Sequence, residues 1–346
     1  MPADSVARWM RRLALAGVLL AFVVVVLGAY VRLTNAGLGC PDWPGCYGHL
    51  TPSGALKEAA QGGLAGARPD ADKSWHEMIH RYAALTLGFV VAAIAALALL
   101  GRRRGWLSLG LPLTLLPTVI VQALLGMLTV TWQLKPLIVT LHLLLGMTTL
   151  GMLWWLALSL PMSSWGFASL GGASRSLRGG AAYIASAHHL AVIGLAALAL
   201  QIALGGWTSS NYAAIACPDF PTCQGSWWPH ADFRDAFVLW HAAQVDYEGG
   251  LLGTAARVAI HLTHRLGALL AAAALTLAAV YTLRQRGLTH ARLRAWAVLG
   301  ALALQLLIGI AMVVRGFPLW LATAHTAGAA LLLLATLALL RALSPR

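Results

Sequence analysis

CPDWPGC, residues 40–46, returns as CPDFPTC at residues 217–223. The similarity extends outward from these two loops along most of the chain. HRYAAL at 80–85 corresponds to HRLGAL at 264–269, Gly28 to Gly205, and the set Gln122, Gly126 and His142 to Gln305, Gly309 and His325. Because the corresponding positions lie 177, 184 and 183 residues apart, the spacing indicates a tandem duplication.

The composition is that of a membrane protein, since 59% of the residues are hydrophobic and only 10% are charged. Each copy of the repeat holds four apolar stretches of about 20 residues, enough to cross a hydrocarbon core as a helix. They lie near residues 13–31, 82–100, 107–129 and 137–160, and near 187–207, 262–283, 295–314 and 319–340. We therefore predict an all-α membrane protein of eight transmembrane helices, arranged as two tandem four-helix bundles related by a pseudo-twofold axis. The first stretch is too long for a cleavable signal peptide and should remain as a helix.

We place the N-terminal bundle at residues 1–165, a Gly/Ser-rich linker at 166–180 and the C-terminal bundle at 181–346. Orientation follows from charge, since Lys and Arg collect in cytoplasmic loops. With both termini and the linker in the cytoplasm, that face holds 14 of the 24 basic residues and one of the 11 acids. The net charge of +13 then reflects the orientation of the chain in the membrane. The arginines are scattered over several short loops and do not form the single basic patch of a nucleic-acid-binding protein.

Four histidines recur at matched depth, near the outer ends of the second and fourth helices of each copy, where they open those helices: His80, His142, His264 and His325. Alternate helices of an up-down bundle face each other diagonally, about 11–14 Å apart. Two inward imidazoles on that diagonal predict one bis-histidine haem, or another metal-centred cofactor, in each half. A lone membrane histidine is more often a hydrogen-bonding or interfacial residue, but this set is duplicated. Zinc fits less well, because two histidines lack the remaining protein ligands.

The two copies differ at one informative position. Glu77 aligns with His261; each lies three residues before a repeated histidine and so on the same helix face as that histidine. A carboxylic acid at the mouth of an apolar haem pocket can transfer protons or hold a water molecule. The alternative is that Glu77 forms an ion pair with Arg81 or Arg32, and the sequence leaves both interpretations open.

Together these motifs resemble those of the haem A synthase family. The resemblance covers essentially the whole chain and rests on RLTNAGLGCPDWPGC, EMIHRYAALTLG, NYAAIACPDFPTCQG and HLTHRLGA. It implies that the first half binds the substrate, haem O, between His80 and His142, with Glu77 essential for catalysis. It also implies a haem b prosthetic group between His264 and His325, and oxidation of one ring methyl of haem O to a formyl group by successive hydroxylation.

The cysteine loops lie just past an outward-running helix in each copy, in the compartment where disulfides persist. Five intervening residues with two prolines form a tight turn that can bring the two Cα atoms within bridging range. We therefore favour two structural disulfides, Cys40–Cys46 and Cys217–Cys223, each closing one haem pocket. A redox relay that delivers electrons is the alternative, whereas covalent haem attachment would need C-x-x-C-H, which the sequence lacks.

Two rival functions use only part of this pattern. A two-haem membrane cytochrome b would need the four histidines but not Glu77, and a quinone-coupled thiol oxidase would need reactive cysteines but not the duplicated histidines. We therefore expect a multi-pass protein of a bacterial inner membrane, with both termini cytoplasmic. Its partners would be haem O, the enzyme that produces haem O, an unidentified electron donor and membrane lipid. A homo-oligomer is compatible with these features.

Overall fold

The computed structural model describes residues 3–64, 69–102, 109–160, 178–240, 246–285 and 287–344. Over these residues the chain forms α-helices and no β-strand. The α-helices are α1 (Ala3–Leu33), α2 (Pro52–Ala60), α3 (Ala71–Arg102), α4 (Gly110–Thr131), α5 (Pro136–Ser159), α6 (Arg178–Ser210), α7 (Phe233–Ala236), α8 (Thr254–Arg284), α9 (Thr289–Val314) and α10 (Leu319–Leu343). All except the short α2 and α7 are long and apolar enough to span a membrane, which confirms the predicted all-α class with eight spans.

The histidine-bearing helices begin earlier than their apolar stretches. α3 starts at Ala71 and α8 at Thr254, because backbone hydrogen bonding continues a helix through polar residues that a hydropathy window excludes. His80 and His264 therefore lie nine and ten residues inside their helices, and the prediction that they open these helices is wrong. Most of the predicted linker lies outside the described residues, and α6 begins at Arg178.

Within each half, four long helices form a ring. In the first half, α1 and α4 each pack against both α3 and α5; in the second half, α6 and α9 each pack against both α8 and α10. The histidine-bearing helices therefore face each other across the centre of each ring. Between the halves, α1 packs on α10, and α5 packs on both α6 and α10. One apolar core runs through both halves and includes Leu150, Leu153, Ala191 and Leu339.

The described parts of the two long connections, residues 34–64 with 69–70 and residues 211–240 with 246–253, lie on the same side of the helix layer, which we call the loop face. There the ends of α1 and α6 touch. Arg32 donates to the carbonyl of Ser209 at 2.7 Å, and the Tyr212 hydroxyl donates to Oδ1 of Asn35 at 3.0 Å. Both contacts join residues 177 positions apart, so equivalent residues of the two copies meet.

Candidate functional site

Each of the four repeated histidines packs against a glycine of the preceding long helix. A β-carbon at Gly28 or Gly309 would lie 3.0 Å from Cε1 of His80 or His325, and one at Gly126 or Gly205 would lie 3.2 Å from Cε1 of His142 or His264. A β-carbon there would force the imidazole to shift by a few tenths of an ångström, so these glycines let the neighbouring backbone support the ring. In the sequence they are visible only as repeat markers, and the structure shows their contact.

The second pair of histidines has the spacing of two axial ligands. The ring centroids of His264 and His325 lie 6.4 Å apart. Two imidazoles reach about this separation when each places a ring nitrogen about 2 Å from a metal ion between them. The distance between the rings of the second pair therefore matches that of two histidines on opposite sides of an iron.

The first pair contains buried nitrogen atoms that need a partner. Nδ1 of His80 and Nδ1 of His142 are buried, and within the described residues neither makes a hydrogen bond. Buried polar atoms without a partner are uncommon, and a ligand, water or ion can supply the partner; Nδ1 of His261 shares this property. The described residues also contain no cluster of three or more His, Cys, Asp or Glu side chains that could hold a metal. Two-histidine sites of this kind suit a metal whose other ligands come from a macrocycle.

Three glutamines brace the histidine-bearing helices. Through Nε2, Gln122 donates to the backbone carbonyl of His142 at 3.0 Å, Gln201 to that of His264 at 3.0 Å, and Gln305 to that of His325 at 3.1 Å. Two of them, Gln122 and Gln305, belong to the repeat visible in the sequence. Sequence reasoning missed Gln201, because the first copy has no glutamine at the corresponding position.

Glu77 lies on α3 and connects the first cysteine loop to the helix of His80. Its side chain is 4% exposed. One carboxylate oxygen accepts the backbone N–H of Cys40 at 2.8 Å, and the other accepts a short hydrogen bond from Nη2 of Arg81. Of the two ion-pair partners considered from the sequence, Arg81 is therefore the one in contact, whereas Arg32 lies over the ring of Tyr212. His261, at the corresponding position of the second half, is also 4% exposed.

The structure closes both cysteine loops with disulfides, Cys40–Cys46 and Cys217–Cys223, with Cα–Cα distances of 4.7 and 4.6 Å. All four cysteines are buried. The aspartate of each loop accepts two backbone N–H groups of the following turn, Asp42 from Tyr47 and Gly48, and Asp219 from Gln224 and Gly225. The hydroxyl of Thr222, together with these amides, holds the pKa of Asp219 below its usual value. Each loop is thus a rigid unit with its own internal hydrogen bonds.

Arg81 and Arg265, which directly follow His80 and His264, connect the cysteine loop of each half to the histidine-bearing helix. Arg81 donates to the carbonyl of Asp42 at 2.9 Å, and Arg265 donates to the carbonyls of Asp219 and Thr222 at 2.8 Å each. The H-R dipeptide of the repeat therefore has two uses: the histidine faces the centre of the bundle, and the arginine holds the loop. The signal for this role was present in the sequence as an arginine repeated directly after His80 and His264.

Residues 11–337 match the family COX15-CtaA, described as cytochrome oxidase assembly protein. The chain is 39% identical to a protein of Shewanella oneidensis named Heme A synthase, over 94% of this chain and 93% of that relative. The chain belongs to this family. Proteins named Heme A synthase from Beijerinckia indica and Sphingopyxis alaskensis are 29% and 28% identical, over 98% and 99% of the chain and 93% of each relative. The match to the family runs from α1 to α10 and therefore covers both halves of the chain.

Proposed function

We propose that the protein is a haem A synthase, an oxidoreductase that converts a ring methyl of haem O to the formyl group of haem A for terminal oxidases. The observation that carries the proposal is the asymmetry between two duplicated histidine pairs: only the first has a carboxylate, Glu77, about one turn from its histidine. The three relatives named Heme A synthase support it, because they align over nearly the whole chain.

In this proposal His80 and His142 hold the substrate haem in the first bundle, and His264 and His325 hold haem b in the second. When bound, the irons supply one-electron redox chemistry. The chain contributes position: the histidines orient the macrocycles, and the glycine contacts fix the rings of the histidines. With two histidine ligands and no acid beside it, the second site suits electron transfer.

Glu77 supplies what the second half lacks. The Cys40 amide holds one of its oxygens and Arg81 the other, and a carboxylate can accept about four hydrogen bonds. The remaining lone pairs can accept a hydrogen bond from a water molecule, or take a proton released from the substrate methyl. Arg81 and the Cys40 amide fix the direction of the carboxylate, so that it acts from one defined position.

The rival functions account for less of the molecule. A two-haem cytochrome b has no use for the Glu77 arrangement. A thiol oxidase needs cysteines that a partner can reach, yet the four cysteines are at most 1% exposed. Their burial supports a structural role for both disulfides.

Haem extracted from the purified protein tests the proposal. A haem A synthase is expected to yield haem b together with haem O or haem A. Haem b alone would favour the electron-passing cytochrome, and a preparation without any haem would contradict both.

We also propose that the loop face is periplasmic in a bacterial inner membrane and that the halves are related by a pseudo-twofold axis. The charge distribution supports the orientation. The contacts between residues one repeat apart support the axis, because equivalent residues meet at a twofold. An alkaline phosphatase fusion within residues 218–230 should be active and one within 170–178 inactive, and the reverse result would overturn the orientation.

A further inference from the structure

Each of the three glutamine side chains packs against a glycine. The amides of Gln122, Gln201 and Gln305 lie against Gly146, Gly267 and Gly328, respectively, about one turn beyond the histidine on the neighbouring helix. A β-carbon at Gly267 or Gly328 would overlap the glutamine oxygen, and one at Gly146 would lie 3.2 Å from the glutamine nitrogen. Glutamine and glycine therefore form a matched pair at three of the four histidines.

His80 is the exception. The residue of α1 that corresponds to Gln201 is Val24, and the residue of α3 that corresponds to Gly267 is Ala83. The two differences occur together, as their geometry requires. Valine has no donor for a backbone carbonyl, and the methyl group of alanine takes the space that the amide occupies in the second half.

The glutamine amides restrict the movement of the histidine-bearing helices. An amide that joins two helices in apolar surroundings fixes the backbone turn of the histidine relative to its neighbour. Such interhelical hydrogen bonds shift an equilibrium by about 3- to 20-fold. A ligand fixed in its bound position binds more tightly and rebinds more often than one whose backbone can move.

We propose that the glutamine–glycine pairs are positioning elements for axial histidines, and that Val24 and Ala83 leave the backbone turn of His80 without this brace, so that haem in the first bundle is exchangeable. This inference rests on the proposed function, in which the first bundle must accept a substrate haem and release a product haem. The second bundle braces both of its histidines and so retains its haem as a prosthetic group. Among the described residues of the first bundle, a glutamine–glycine pair braces His142 and none braces His80.

Transfer of haem to excess apomyoglobin tests this, with the full-length protein in detergent and protohaem as the probe in both bundles. The wild type should release haem in a fast and a slow phase. The fast phase should disappear in His142→Ala, which assigns it to the first bundle. A single rate for both haems would overturn the inference.

Reciprocal exchange of the pairs should move the two rates in opposite directions. Val24→Gln with Ala83→Gly should slow the fast phase by about 3- to 20-fold, and Gln201→Val with Gly267→Ala should speed the slow phase by about the same factor. Ala83→Gly alone is the matched control, since it opens the space without supplying an amide, and it should not slow release. If the second double variant does not accumulate, Gln201→Leu removes only the amide and should give the same acceleration.

The outcomes separate this inference from the proposed function. A purified protein that carries no haem contradicts the proposed function. A protein that carries haem in both bundles, with release rates that the exchanges leave unchanged, contradicts the inference alone. Neither result depends on turnover.

Discussion

The corresponding arginines of the two halves, Arg81 and Arg265, have different partners. Arg265 uses both terminal nitrogens on carbonyls of the second cysteine loop, those of Thr222 and Asp219. Arg81 uses one terminal nitrogen for the first loop and directs the other to Glu77. In both halves, an arginine thus holds the cysteine loop beside the histidines. In the first half, one of the two terminal nitrogens of Arg81 binds Glu77 instead of the loop. The halves differ in the chemistry beside the pocket and share their architecture.

The largest expected effect comes from removing the carboxylate. Glu77→Gln keeps the shape of the side chain and can still accept the Cys40 amide, but it cannot take a proton. We expect both bundles to bind haem while haem A formation falls by about 10²- to 10⁴-fold, with haem O or a hydroxylated intermediate accumulating. Haem extraction and chromatography measure this.

A matched variant separates chemistry from anchoring. Arg81→Gln removes the ion pair but leaves the carboxylate, so turnover should fall less than in Glu77→Gln. His261→Glu should create no activity, because the second site holds a prosthetic group. Normal amounts of haem A in cells that rely on the Glu77→Gln variant would refute the catalytic role and favour the two-haem cytochrome.

The axial ligands of the second half provide the next comparison. His264→Ala or His325→Ala removes one of two axial nitrogens, so the low-spin spectrum of haem b should be lost or shifted. His261→Ala, one turn away on the same helix, is the control and should retain that spectrum. A low-spin spectrum unchanged in both ligand variants would exclude these histidines as ligands.

The sequence predicts the frame of this site better than its supporting contacts. The repeat and the apolar stretches are strong signals, because a membrane restricts spanning segments to long helices, and all eight spans are confirmed. The helix starts were misplaced, since hydropathy marks the hydrocarbon core and not the ends of hydrogen bonding. His80 consequently lies well inside α3.

The packing around the histidines could be predicted only in part. Gly28 and Gln122 could be identified as residues repeated in the second copy. Their contacts with His80 and His142 depend on how neighbouring helices are rotated, which a single sequence does not specify. Gln201 left no signal, because the copies differ there. From the sequence, the partner of Glu77 could be either Arg81 or Arg32. The structure decides for Arg81, because Arg32 at the end of α1 binds Ser209 of the second half.

The smallest expected effect separates the two disulfides. Replacing Cys217 and Cys223 by alanine should lower the free energy of unfolding by about 2 kcal/mol, the low end for a disulfide because the loop is short. Turnover per haem-loaded molecule should survive, since Arg265 still holds the loop. Replacing Cys40 and Cys46 should cost about as much stability but also reduce turnover, because a loop without its disulfide holds the backbone N–H of residue 40 less firmly against Glu77. Denaturation midpoints and haem A formed per loaded molecule measure both effects. Full haem loading with abolished turnover in the second-loop variant would instead favour an electron relay, because that loop touches no catalytic carboxylate.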